Sequence, residues 1–169
     1  MKTTITILLM LCISFITLGQ ELKHQEIKSK LYIAVEANFP VRFNASKSFR
    51  EIFYQKCDRF PKHCQKIKLD KIIDFRIIEV IASDFAEEVD EINFVPPNYY
   101  RITASLDFTY SSENINHYGT AILECTIKKI IDGYEIDYIK LKGRKSMHEY
   151  YEPVQDPEYY ILNHLTIND

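Results

Sequence analysis

The sequence predicts an α+β fold: N-terminal helices packed on a curved antiparallel β-sheet meander, with a short C-terminal helix. Three observations carry that prediction. Apolar residues recur at helical spacing through residues 21–39. From Leu69 onward the pattern changes to alternation and to Ile/Val-rich runs. Asp132-Gly133 then joins two of those runs with a strong two-residue hairpin signal.

The chain begins with an expected address. Met1-Lys2-Thr3-Thr4 is a short positive start, Ile5 to Leu18 is largely apolar, and Thr17-Leu18-Gly19 supplies small residues for cleavage before Gln20. Residues 1–19 therefore read as a secretory signal peptide and 20–169 as a single α+β domain. The apolar run is shorter than the ~20 residues that span a bilayer, so no membrane span is expected after cleavage. The expected location is the bacterial periplasm or the extracellular space. Residues 1–19 carry one cation, Lys2, and no acid, so their removal takes the formal net charge from −3 to −4.

Residues 21–39 read as a helix with Ile27, Leu31, Ala34, Val35 and Phe39 on one side and Pro40 as its stop. Ser48-Phe49-Arg50-Glu51 fits a capping box for a second helix, with Phe49, Ile52 and Phe53 apolar. Cys57 and Cys64 close a short loop around Pro61. In an oxidising compartment a local disulfide is expected there, with a stabilisation of ~2 kcal/mol on the chain-entropy account. A zinc reading of Cys57, His63 and Cys64 lacks a fourth ligand nearby, so no metal is assigned. Cys125, beside Leu123 and Ile127 in a strand pattern, reads as a buried structural thiol.

Ile72 to Ile81 is apolar on both faces. Arg101 to Tyr110 alternates cleanly, with Ile102, Ala104, Leu106, Phe108 and Tyr110 on one face and Arg101, Thr103, Ser105, Asp107 and Thr109 on the other. Tyr118 to Ile131 and Tyr134 to Leu141 form the hairpin arms. Pairing Ile131 with Tyr134 puts Tyr138 beside Ile136 on the Leu123 face, and Ile139 and Leu141 opposite. The mixed faces imply cover on both sides of the sheet, or a bulge near Tyr138 that switches the phase. Asp156-Pro157-Glu158 is a helix-start signal, and a helix over Pro157–Leu165 is expected.

Several functions are excluded by what the sequence lacks. Four glycines and no Gly-rich motif leave no phosphate-binding loop, and the slight acidity argues against nucleic acid as a partner. There is no G-x-S-x-G, P-loop, dinucleotide fingerprint or H-E-x-x-H, so no catalytic residue and no cofactor are assigned. The remaining candidates are polar groups among aromatics on strands: Asp107, Tyr110, His117 and Tyr138. Over a curved sheet such groups line a pocket with apolar walls, and an Asp107–His117 pair there could transfer protons.

Leading helices, a long connection and an antiparallel meander resemble the NTF2-like and cystatin-like α+β families over roughly residues 21–144. The resemblance lies in element order. The cystatin Q-x-V-x-G loop is absent, and the expected terminal helix departs from the usual NTF2-like terminal strand. It implies a small domain that binds a ligand, dimerises, or works as an isomerase or dehydratase. The expectation is an exported, non-enzymatic binding domain for a small apolar ligand or protein partner, with a homodimer through the sheet face as one form. The alternatives are an NTF2-like enzyme using Asp107 and His117, and a cell-envelope immunity or inhibitor protein presenting the acidic segment 84–91.

Overall fold

The structure, a computed structural model, describes residues 25–54, 66–82, 98–112, 115–131, 133–145, 151–154 and 159–168. The signal peptide, Cys57, Cys64, the acidic segment and the Asp156 helix-start signal lie outside those residues. Helix α1 runs through residues 25–45 and α2 through Lys47–Phe53. Six strands follow: β1 (Lys68–Ala82), β2 (Tyr99–Ser112), β3 (Ile115–Ile130), β4 (Gly133–Lys145), β5 (Tyr151–Pro153) and β6 (Tyr160–Asn168). β1 to β5 are antiparallel neighbours in chain order, a meander, and β6 pairs with β4 beside β5.

The α1 stripe is buried as expected, but the helix does not stop at Pro40. It continues to residue 45 because Phe43 extends the stripe begun at Phe39. Burying a phenylalanine among other rings offsets the roughly 3 kcal/mol that an internal proline costs. The cap of α2 also sits two residues before the expected position. Ser46 Oγ accepts the Phe49 N–H at 3.2 Å, and Ser48 is inside the helix. Arg50, buried on α2, donates to the Phe43 carbonyl at 3.2 Å and to that of Asn44. It thereby satisfies the carbonyls at the end of α1, where no helical donor follows.

The helices cover one face of the sheet. Phe39, Phe43, Phe49 and Phe108 are fully buried there, and Phe53 joins them with its ring centroid 5.0 Å from that of Phe108. All five expected inward residues of β2, from Ile102 to Tyr110, belong to this core. Gly119 lies opposite Phe108, and a Cβ there would meet the Phe108 ring at 2.7 Å. That ring is hemmed in by Phe39 and Phe53, so it cannot yield. Gly119→Ala is expected to destabilise the fold by ~1–3 kcal/mol through overpacking, checked by urea denaturation. An unchanged midpoint would show that the Phe108 ring is free to move.

β1 and β4 are bulged. Three register shifts in β1 leave Asp70, Ile73 and Ile78 as extra residues against β2. Ile73 and Ile78 are the exposed isoleucines of that strand, which accounts for its apolar residues on both faces. In the β3–β4 hairpin Ile130 pairs with Gly133, not Ile131 with Tyr134, and Ile131 is wholly exposed at the turn. Gly133 has φ 137°, open to glycine and strained for other residues. Ile127 then pairs with Ile136 and Thr126 with Tyr138, so Asp137 is bulged. Past that bulge the phase inverts: Ile139 and Leu141 join the core and Tyr138 turns outward.

The C-terminal segment corrects the expected helix. Residues 160–168 form strand β6, not a helix, and pair with Gly133–Lys140. The Tyr159 carbonyl accepts the Leu141 N–H at 2.8 Å, and the Lys142 carbonyl accepts the Val154 N–H at 3.1 Å. The outer edge of β4 needs such partners for its backbone groups, which a helix could not supply. The Tyr-, Ile-, Leu- and Thr-rich tail suits a strand.

Candidate functional site

The four candidate residues fall into two pairs on opposite faces of the sheet. Tyr110 and His117 are cross-strand partners on the helix side. Their rings stack at 5.1 Å and 18°, and Tyr54 meets His117 edge-on at 5.5 Å. The Tyr110 hydroxyl donates to the Phe53 carbonyl at 3.0 Å, capping the end of α2. Burial pushes the Tyr110 hydroxyl up to about 12, with Tyr54 adding to the shift, so it stays a donor at neutral pH. Nearby Arg144 donates to the Ile52 carbonyl at 2.6 Å and to Glu152 at 2.7 Å, tying α2, β4 and β5 together. This pair therefore anchors a helix.

Asp107 and Tyr138 lie on the outer face. Asp107 and His117 consequently do not form the expected proton-transfer pair. Three positions separate Asp107 from Tyr110 on one strand, and three separate His117 from Thr120 on the next, which puts them on opposite sides.

The outer face of β2–β4 carries two charge networks. In the first, Asp107, only 6% exposed, accepts from Arg76 and from the Thr120 hydroxyl, both at 2.7 Å. Arg76 also pairs with Asp74 at 3.0 Å. Tyr118 stands beside Asp107; partial burial, then the Asp107 charge and hydrogen bond, raise its hydroxyl above the ordinary tyrosine value. In the second, Glu124, 9% exposed, accepts from Lys140 at 2.8 Å and from the Tyr138 hydroxyl at 3.0 Å, with Lys142 at 3.7 Å. Burial alone would raise the Glu124 carboxyl. The hydrogen bond and charge of Lys140, with Tyr138 and Lys142, outweigh that and hold it below the ordinary carboxylate range.

Between the networks lie Ser105 and Ile122, paired across β2 and β3, with Gly143 next to Ile122 on β4. Ser105 Oγ is buried without a hydrogen-bond partner among the described residues. Tyrosine rings surround this floor: Tyr118 is 60% exposed, Tyr151 47% and Tyr160 36%. Tyr160 meets Tyr138 edge-on at 5.9 Å.

From sequence, only Asp107 and Tyr138 of this site were singled out. Arg76, Thr120, Glu124, Lys140 and Lys142 were missed. The alternation of β2 and β3 marks Asp107, Thr120 and Glu124 as one face once the strands are paired, but the Asp137 bulge hides the Lys140 side.

Cys125 is a free thiol in the core. Burial, with the neighbouring Glu124 charge, pushes its pKa well above the ordinary thiol value, so it is not poised as a nucleophile. Among the described residues no group of three His, Cys, Asp or Glu side chains is placed to hold a metal ion. None of their helices is long and apolar enough to cross a membrane. Set against protein-family models, curated proteins and solved structures, the chain has no match in any of the three comparisons.

Proposed function

We propose that this chain is an exported, non-enzymatic binding domain that recognises its partner through the outer face of the β2–β4 sheet. The observation that carries this reading is the contrast between the two faces. Phenylalanines of α1, α2 and β2 occupy the helix side. On the outer side, exposed tyrosines stand around two charge networks built on the buried carboxylates of Asp107 and Glu124. Tyrosine and arginine are enriched where proteins recognise partners. The arrangement of helices then antiparallel meander supports kinship with the NTF2-like and cystatin-like families.

Two measurements test the reading. Mass spectrometry of the protein from its producing cells should give a chain that starts at Gln20 and is found outside the cytoplasm. An intact Met1 chain in the cytoplasm would reject export. For the binding face, a photoreactive residue at Tyr118 or Tyr160 should give covalent adducts in those cells. The same residue at Val41, exposed on the outside of α1, should not. Adducts from Val41 and none from the sheet would place recognition elsewhere.

A further inference from the structure

We infer that the ligand of this outer face is a neutral oligosaccharide, seated on the ring of Tyr151 beside Glu124, Lys140 and Lys142; the inference rests on the binding reading above.

Tyr151 is a fixed platform. A Cβ at Gly143 would lie 2.5 Å from Tyr151 Cε2 and 2.9 Å from its Cζ, so the ring rests where only glycine leaves room. Its hydroxyl donates to the Lys142 carbonyl at 2.8 Å. The ring is thus held against the backbone and at its tip, while nearly half of the residue faces solvent. A pyranose presents an apolar C–H face that fits an aromatic face. Little side-chain entropy is lost on binding, because the ring is already ordered.

The charges next to that ring suit hydroxyls. Asp74, Asp107 and Glu124 are balanced by Arg76, Lys140 and Lys142, each joined to an opposite partner. The Glu124 network carries one excess cation and the Asp107 network one excess anion, so the face as a whole has no long-range excess of either sign to draw a polyanion or a polybasic segment. It does offer charged acceptors and charged donors a few ångströms apart. A sugar hydroxyl is both donor and acceptor, so it can bridge a carboxylate and an ammonium with charge-assisted hydrogen bonds. Lys142, with its side chain 43% exposed, reaches outward, while Glu124 lies at the base. A protein partner fits less well, because it would have to bury both charge networks, and the core of a protein interface is depleted of Lys, Glu and Asp.

The test is calorimetric titration of the mature chain, residues 20–169, with cellohexaose, xylohexaose, laminarihexaose and maltohexaose. At least one should bind saturably at millimolar concentration. Tyr151→Ala should weaken that binding by about tenfold or more, the scale of one lost aromatic stack with its apolar contact. Tyr151→Phe keeps the ring and should bind within a few-fold of the parent, which separates loss of the platform from loss of strand β5. Val41→Ala should bind as the parent does. No binding to any of the four, or equal binding by parent and Tyr151→Ala, overturns the saccharide. If it is overturned while photoreactive Tyr118 or Tyr160 captures a protein, the binding reading stands with a different ligand; if neither binds, both fall.

Discussion

Phe108→Ala is expected to lower the free energy of unfolding by about 3–5 kcal/mol, the range for truncating a buried phenylalanine. Phe108 is fully buried at the centre of the aromatic layer, with ring centroids 5.0 Å from Phe39, 5.0 Å from Phe53 and 5.5 Å from Phe43. Rings from both helices, Phe39 and Phe43 of α1 and Phe53 of α2, meet this one ring. Its strand partner Gly119 has no side chain to relax into the vacated space. The cavity therefore stays open, and the loss includes both transferred apolar surface and broken ring contacts. Urea unfolding followed by circular dichroism measures it. Phe108→Leu, which refills most of the volume, should cost less than half as much. A Phe108→Ala loss below ~1 kcal/mol would mean that α1 and α2 close onto the sheet without it.

Glu124→Gln should destabilise the protein by about 2 kcal/mol at neutral pH, less than the roughly 3–5 kcal/mol for a fully buried broken pair. The discount reflects Lys140, whose side chain is 26% exposed and so keeps some hydration. The pH dependence is more specific than the size. Glu124 titrates below its ordinary value in the folded protein. Its contribution is therefore present above the unfolded carboxylate pKa of about 4.3 and is lost as pH falls through the lower folded value. Burial would lower Lys140, but the hydrogen bond and charge of Glu124 prevail and raise it. Its share is fully present below the unfolded lysine pKa of about 10.4 and is lost as pH rises through the folded value. The stability gap between parent and Glu124→Gln should be level across neutral pH and narrow on the acid side below about pH 4. A gap that stays constant into strong acid would show that Glu124 acts through packing alone.

Much of the fold was legible because it follows from periodicity. The α1 stripe, the inward face of β2 and the burial of Cys125 are each set by residues a few positions apart. The failures share a cause. Pro40 and the Asp156-Pro157-Glu158 signal are local rules, and long-range demands overrode the expectations drawn from them. Phe43 extends α1 because a pocket of rings awaits it. Residues 160–168 extend because β4 has an open edge. The candidate site was half legible for a similar reason. Asp107 and Tyr138 stood out as polar groups among aromatics. The separation of Asp107 from Tyr110 and His117 follows from alternation, and could have been read from spacing once β2 was paired with β3; that of Tyr138 depends on the Asp137 bulge.

By itself, then, the sequence determined which residues prefer helix or strand, which face of each is apolar, and that Gly133 must sit at a turn. These are properties of neighbouring residues and of φ/ψ space. The sequence offered either cover on both sides of the sheet or a bulge near Tyr138; the tertiary structure placed that bulge at Asp137, where it turns Tyr138 outward and aligns Lys140 with Glu124. It also decided the seating of Tyr151 on Gly143 and the joining of Arg76 to Asp107 across two strands. Each depends on register between strands distant in the chain. Register is fixed by the packing of the whole sheet against its helices, which no local pattern encodes.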